Sequence, residues 1–248
     1  MIYMTGDTHG EINRFSAKAF PEQKEMTKED YVIILGDFGL VWDWNGESGL
    51  ERYWLDWLEA KPFTTLFIDG NHENHDRLNG MPVEEWNGGK VHKIRPSILH
   101  LMRGQVFSID GLKIFTFGGA SSHDIRDGIL EPGDPRIRKW SRKRDKLFRV
   151  NGRSWWEREL PTDEEMAEGV YNLDKAGWKV DYILTHCAPT GTSARMGNGF
   201  YPSDRLTDYL EDIKQKAEYS RWFFGHHHIN KRISDREICL YEQIVRVN

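Results

Sequence analysis

The sequence predicts an α/β protein: a four-layer α/β/β/α sandwich in which two mixed sheets lie between outer helices. Three observations carry that expectation. Five short apolar runs, Ile2-Met4, Tyr31-Leu35, Thr64-Ile68, Val180-Leu184 and Trp222-Phe224, have the continuous hydrophobicity of parallel strands covered on both faces. Helical patterns fall between several of them. Strand pairs of hairpin type then occupy the middle of the chain and its end.

Between the second and third runs, Leu50, Trp54, Trp57 and Leu58 recur at helical spacing and form one apolar face, so these tryptophans are read as core. Ile98-Met102, Gln105-Ile109 and Leu112-Phe117 are strand candidates. Asp110-Gly111 joins the last two as a hairpin turn, a pair suited to positive φ angles. Thr162-Asp163-Glu164-Glu165 fits a capping box that opens a helix ending near Gly177. A third helix is expected from Ser203 or Asp204 to about Tyr219, followed by an antiparallel pair at Lys231-Ile233 and Ile238-Val245. One segment fits no element. Arg126 to Arg149 carries nine basic and four acidic residues, a local charge of +5, along with Pro132, Gly133, Pro135 and Trp140. It reads as a basic surface excursion, at about residues 120–155, from a single domain spanning residues 1–248.

Composition narrows the function classes. The 248 residues are 38% hydrophobic and 29% charged, which excludes disorder, and no run approaches the roughly 20 apolar residues of a membrane span. Gly6-Asp7 interrupts the first apolar run too early for a secretory signal. With Cys187 and Cys239 as its only cysteines the chain is no disulfide scaffold, and a cytoplasmic location is expected. The net charge of -5 argues mildly against a dedicated nucleic-acid binder. Ten histidines and ten tryptophans are less ordinary.

The histidines acquire meaning from their places just past the buried runs. The first run leads into Asp7-Thr8-His9 and the second into Gly36-Asp37. Gly70-Asn71-His72-Glu73 comes after the third, Thr185-His186 after the fourth, and Gly225-His226-His227-His228 after the fifth. Ligands of open α/β sheets bind beyond the carboxyl ends of the strands, so this pattern delivers two Asp, one Asn and several His to one edge. Carboxylate, amide and imidazole donors together suit Mn, Fe or Zn. At least seven candidates exceed the four that one structural zinc needs. Two ions sharing a bridging carboxylate are therefore expected, an arrangement that, with the ions about 3.5–4 Å apart, stabilises in-line displacement at phosphorus.

The ordered series Asp7-x-His9, Gly36-Asp37, Gly70-Asn71-His72-Glu73, His186 and Gly225-His226-x-His228 resembles the calcineurin-like metallophosphoesterases, with all five motifs present over residues 7–228. The resemblance implies their fold. It also implies that Asp7, His9 and His228 hold one metal, that Asp37 bridges, and that Asn71, His186 and His226 complete the second site. His72 would lie beside the substrate, stabilising the transition state or protonating the leaving oxygen, and His227 would alternate to the other side of an extended segment. The chemistry implied is hydrolysis of a phosphoester through a metal-bridging hydroxide that attacks phosphorus. Two divalent ions are expected, Mn2+ first, with Fe or Zn as alternatives. Cys187 is read as a bystander.

Departures from the family pattern narrow the substrate. Leu40 and Val41 stand where protein Ser/Thr phosphatases carry an Asp and a phosphate-clamping Arg. A phosphodiester, of a nucleotide or nucleic acid, is thus expected ahead of a protein or small-molecule phosphomonoester. A catalytically silent binding module is the remaining alternative, opposed by the complete ligand set. Arg126, Arg153 and Arg195 are candidates for a replacement contact, because a fork-shaped guanidinium suits phosphate. Arg195 is placed in a Gly-rich loop, Gly191 to Gly199, that would close over substrate. His123, in a loop leaving a strand, is a further candidate for substrate contact, whereas His75, His92 and His100 are read as ordinary core or surface histidines. Trp42, Trp44 and Trp155-Trp156 are read first as core or lid packing and second as a nucleobase platform. The excursion is read first as a solvated loop and second as a nucleic-acid groove. Because its +5 leaves -10 elsewhere, the net charge does not exclude a phosphate-bearing polymer.

Overall fold

Strands that are apolar at every position need cover on both faces, and the computed structural model, which describes residues 1–197 and 202–248, supplies it with two sheets and flanking helices. Four parallel strands form the centre of the first sheet: β1 (Ile2–Thr5), β2 (Tyr31–Leu35), β3 (Thr64–Ile68) and, after two intervening strands, Ile98–Leu101. The intervening β4 (Val83–Trp86) and β5 (Gly89–Arg95) extend it antiparallel beyond Ile98–Leu101, which is β6. The second sheet begins with the hairpin β7 (Gln105–Ile109) and β8 (Leu112–Phe117), whose turn residues Asp110 and Gly111 take the expected positive φ of 50° and 78°. After a small parallel pair, β9 (Gly128–Leu130) with β10 (Phe148–Val150), it continues through β11 (Tyr182–Thr185) and β12 (Arg221–Phe224). The short strands β13 (Lys231–Arg232) and β14 (Glu237–Cys239) complete it, and β15 (Val245–Arg246) returns to pair with β1.

Alternation along each strand sorts the side chains into layers. Ile33, Leu35, Leu66 and Ile68 face Ile114, Leu184 and Phe223 in a core between the sheets. Their neighbours Val32, Ile34 and Phe67 face outward onto Leu55 and Leu58 of helix α1 (Gly49–Glu59). On the far side, Phe115, Ile183, Trp222 and Phe224 pack against helices lying beyond a short α2 (His75–Asn79) and α3 (Pro135–Trp140) in the chain. These are α4 (Asp163–Lys175), which contributes Leu173, and, after α5 (Thr190–Gly197), α6 (Arg205–Lys216), which contributes Leu206, Leu210 and Ile213. This is the α/β/β/α sandwich that the sequence predicts. Among the described residues, no helix is long and apolar enough to cross a membrane.

Several elements differ from expectation for identifiable reasons. Leu50 is 69% exposed, because the inward stripe of α1 is Glu51, Leu55 and Leu58. Glu51 holds that position through polar bonds: it completes a capping box with Ser48 and accepts from Trp42 N, Asp43 N and Arg77 Nη1. Trp54 and Trp57 are partly buried against the same core. Val180 lies outside β11, and the run Ile238-Val245 divides into β14 and β15. Strand β4 is largely exposed and lacks an apolar pattern. The basic excursion is more ordered than its sequence suggests, since it contains β9, β10 and α3, the last capped by Asp134 with Pro135 at its first position. The Gly-rich stretch from Gly191 is helical through Gly197, and positions 198 and 199 of the expected loop lie outside the described residues.

One ion pair ties the layers together beneath the strand ends. Arg103, between β6 and β7, donates to Asp69 Oδ2 from Nε at 2.9 Å and Nη2 at 2.6 Å, and to Glu165 of α4 at 3.2 Å. Removing one partner of a buried pair strands the other charge. Arg103→Ala is therefore expected to lower the unfolding free energy by about 3–5 kcal/mol. Arg52→Ala, at an exposed pair with Glu47, should stay within about 0.5 kcal/mol. Urea midpoints for the two variants check this, and similar shifts would refute it.

Candidate metal centre

The parallel strands end along one edge, and the chain places a polar cluster there. Asp7, His9, Asp37 and His228 each bring a donor atom to within 4.8 Å of the others. His228 Nε2 lies 3.1 Å from Asp7 Oδ2 and 3.0 Å from His9 Nε2, and His9 Nε2 lies 3.7 Å from Asp37 Oδ2. The other oxygen of Asp37, Oδ1, is 3.3 Å from His186 Nε2 and accepts the backbone N–H of His72 at 2.8 Å. Asp37 thus reaches both halves of the cluster. His226 packs its ring against His186 at 5.0 Å, and its Nε2 lies 2.7 Å from His123 Nε2. His186 Nδ1 donates to the Leu35 carbonyl at 2.7 Å, which turns Nε2 toward Asp37 and makes it the nitrogen available to a metal once its proton is displaced.

Such close approach depends on local backbone. A Cβ at Gly70 would fall 2.1 Å from Asp37 Oδ1, and one at Gly36, where φ is +91°, would fall 2.1 Å from His186 Nδ1. The chain also holds ligand-type residues in left-handed backbone: His9 at φ 46°, Asp37 at 47°, His226 at 65° and His228 at 49°. They are four of the seven non-glycine residues with positive φ among the described residues. Such conformations cost about 1–3 kcal/mol and tend to cluster at functional sites. It also means that residues 226–228 are not the extended segment the sequence suggests.

Electrostatics define what the cluster lacks. Asp7 and Asp37 are 0% and 1% exposed, and among the described residues neither forms an ion pair with Lys or Arg. Arg14 donates instead to the backbone carbonyls of Asp7 and Tyr241. Burial opposes protonation of His186, yet the neighbouring Asp37 carboxylate pushes its pKa up to about 10. Burial in turn opposes ionisation of Asp37, whose pKa His186 nonetheless holds well below the usual carboxylate range. Asp7 Oδ2, Asn71 Oδ1 and His186 Nε2 are all buried without a hydrogen bond, although the first and last have ion-pair neighbours in His228 and Asp37. Unsatisfied carboxylate, amide and imidazole donors around two uncompensated carboxylates fit divalent metal ions.

Beside this cluster, the His72 ring lies edge-on to His9 at 5.1 Å and 5.5 Å from Trp42, which packs on Trp156. Burial lowers the His72 pKa, favouring neutral imidazole. A cavity of about 560 Å³ adjoins His226, with His123, Ser122, Asp204 and Arg126 among its walls. Arg153 stacks its guanidinium 4.5 Å above the ring of Trp44, which is 53% exposed. Arg195 is not brought to the site. It sits on α5 and pairs with Glu237 at 2.5 Å, in a separate cavity with Glu211 and Lys214, because the predicted loop is a helix. Cys187 is buried and its thiol is pushed well above the ordinary range, in line with a bystander. His92, His100 and His75 are buried, with His92 bonded to His100 and His100 to Asp69.

Four residues that shape the site were given no role by the sequence. Arg149, paired with Asp124 at the base of the excursion, stands close enough to His72 for its charge to oppose protonation there. Glu73 accepts from Phe38 N at 2.5 Å and Gly70 N at 2.6 Å, joining the loop of Asp37 to that of Asn71; its place in the third motif was the available signal. Ser122 and Glu159 bond to each other behind Asn71, and nothing in their local sequence marks them.

Comparisons with known proteins agree with the geometry. A family model described as calcineurin-like phosphoesterase matches residues 1–230. The lariat debranching enzyme of Drosophila pseudoobscura pseudoobscura is 24% identical over 253 residues, covering 92% of this chain and 42% of that protein. That of Danio rerio is 26% identical over 259 residues, covering 92% of this chain and 40% of that protein. Lariat debranching enzyme A of Xenopus laevis is 29% identical over 147 residues, covering 52% of this chain and 26% of that protein. The chain thus spans less than half the length of these relatives. With the donor set at the strand ends and a match over nearly its whole length, the chain belongs to the calcineurin-like phosphoesterase family.

Proposed function

We propose that the protein hydrolyses a phosphodiester of a nucleotide or nucleic acid with the help of two divalent ions. The observation that carries this reading is the pair of buried carboxylates that, among the described residues, have no Lys or Arg partner, with Asp37 turned to both halves of the cluster. Asp7, His9 and His228 would hold one ion, and Asn71, His186 and His226 the other, with Asp37 shared. Ions bound there would supply charge neutralisation for the phosphoryl oxygens and a nucleophile from water near neutral pH. His186, tethered through Nδ1 to Leu35, keeps its Nε2 fixed. His72, kept neutral by burial, presents an N–H to a phosphoryl or leaving oxygen, so its role is hydrogen-bond stabilisation more than proton donation. Arg149, whose charge is felt at His72, is assigned to phosphate contact, and its pair with Asp124 orients it. Arg126, on the wall of the adjoining cavity, serves the part of the substrate beyond the phosphate.

Diester preference is supported by three features. Val41 leaves the phosphatase-type clamp position apolar and buried. Trp42 flanks His72 with an aromatic face, and Trp44, two residues on, carries Arg153 over its exposed ring. Relatives that match this chain are named as lariat debranching enzymes, so a branched, lariat-type nucleic acid belongs among the substrates to test.

Asp37→Asn should lose metal and activity together, whereas His72→Ala should retain both ions and lower kcat by about 10²–10³. Metal analysis alongside turnover of bis-p-nitrophenyl phosphate checks the pair; a fully metallated, active Asp37→Asn sinks the bridging role.

Arg149→Ala should raise KM by about 10–100-fold, equivalent to about 1.4–2.8 kcal/mol, on mono- and diesters alike. Arg195→Ala should leave KM unchanged. Steady-state kinetics on both variants decides between them, and an unaltered Arg149→Ala removes Arg149 from phosphate contact.

With Mn added, 3′-5′- and 2′-5′-linked dinucleotides should turn over faster than p-nitrophenyl phosphate. Reversing the charges of Arg142, Lys143 and Arg144 should weaken oligonucleotides while sparing bis-p-nitrophenyl phosphate. Faster monoester turnover would assign a phosphomonoesterase, and none on any ester a silent binding module.

A further inference from the structure

An amide binds a cation only through its oxygen, so a ligand asparagine must be prevented from turning its NH2 end inward. Here the hydrogen bonds behind Asn71 fix the choice. Ser122 donates its backbone N–H to Glu159 Oε1 at 2.8 Å and its hydroxyl to Glu159 Oε2 at 2.6 Å. A hydroxyl has one proton, and with that proton committed to a carboxylate the Ser122 oxygen can only accept. It accepts from Asn71 Nδ2 at 3.3 Å. Reversing the amide would set a carbonyl oxygen against that oxygen's lone pairs. The relay thereby turns Oδ1 away from Ser122, and Oδ1 is the buried atom left without a hydrogen bond.

The surroundings suit a fixed relay. Glu159 is 2% exposed, Ser122 7% and Asn71 5%, so water does not compete for these bonds. The parts come from different layers: Asn71 follows β3 of the first sheet, Ser122 follows β8 of the second, and Glu159 lies in a short turn of helix before α4. The same turn is anchored from below, because Arg103 Nη2 donates to the carbonyls of Arg158 and Glu159.

We propose that Ser122 and Glu159 are positioning residues for the second ion, locking the Asn71 amide with its oxygen toward the space shared with His186, His226 and Asp37. The inference rests on the two-ion reading of the proposed function. Glu159→Gln is its sharpest probe. A glutamine of the same shape would offer an NH2 group to the Ser122 oxygen, free the hydroxyl to donate to Asn71, and so invite the amide to flip. Ser122→Ala removes one oxygen and keeps the backbone bond to Glu159, so the fold should persist.

The test is Mn titration of the metal-free full chain, following bound ions per chain and the electron paramagnetic resonance spectrum. Wild type should take up two ions and show the spectrum of an exchange-coupled pair. In Ser122→Ala and Glu159→Gln the first ion should bind within about twofold of wild type, the second 10–100-fold more weakly, with isolated-ion signals at intermediate Mn. Ser122→Thr, which restores the hydroxyl, should restore the coupled pair. Wild-type affinity for the second ion in both weakened variants overturns the inference, as does equal weakening of both ions. A wild type that binds one ion only overturns the two-ion reading, and the inference with it.

Discussion

Two carboxylates, Asp7 and Asp37, are enclosed at the ends of adjacent parallel strands, and no Lys or Arg among the described residues pairs with them. An isolated buried charge is among the most expensive features a fold can carry. The rest of the edge is arranged around that constraint. Glycines at 36 and 70 admit His186 and Asp37 to contact distance, and Glu73 braces the two loops against each other. Among the described residues the partners are histidines and no Lys or Arg, and an imidazole, unlike a guanidinium, can yield its proton to a metal, which leaves the negative charge for divalent ions to satisfy.

One strand over, the same problem has the opposite solution. Asp69 ends β3 as Asp7 and Asp37 follow β1 and β2, but it receives Arg103, and its carboxyl is held below the usual range despite burial. The chain therefore closes one charge internally and leaves two open. That contrast separates structure from function more sharply than burial does, since all three aspartates are equally inaccessible.

The strand ends were legible because two local signals coincide there: an apolar run specifies a strand, and the residues just past it are chemically unlike their surroundings. The layers followed for the same reason, from period-two alternation. Contacts made across the chain were not legible. Leu50 looked inward by spacing, but Glu51 claimed that side through bonds to Trp42, Asp43 and Arg77. Arg195 looked available in a Gly-rich stretch that helix formation instead turns toward Glu237. Arg149, Ser122 and Glu159 have sequence neighbours of ordinary character, and their importance arises only when β3, β8 and the excursion meet. Trp42, after Gly36-Asp37, shows the intermediate case, visible as a suspect and placed beside His72 only by the fold.

The left-handed backbone at His9, Asp37, His226 and His228 has a consequence for how this chain can change over time. Strain of about 1–3 kcal/mol at each position is large beside the roughly 5–15 kcal/mol that holds a typical domain together. Selection for stability alone would favour glycine at these positions, since it adopts the same φ without the steric cost. Descendants relieved of the need to turn over substrate should therefore lose their ligands first at these four positions, becoming sturdier as they fall silent. The full set of side chains here is the mark of a lineage in which the work of the site has outweighed the comfort of the fold.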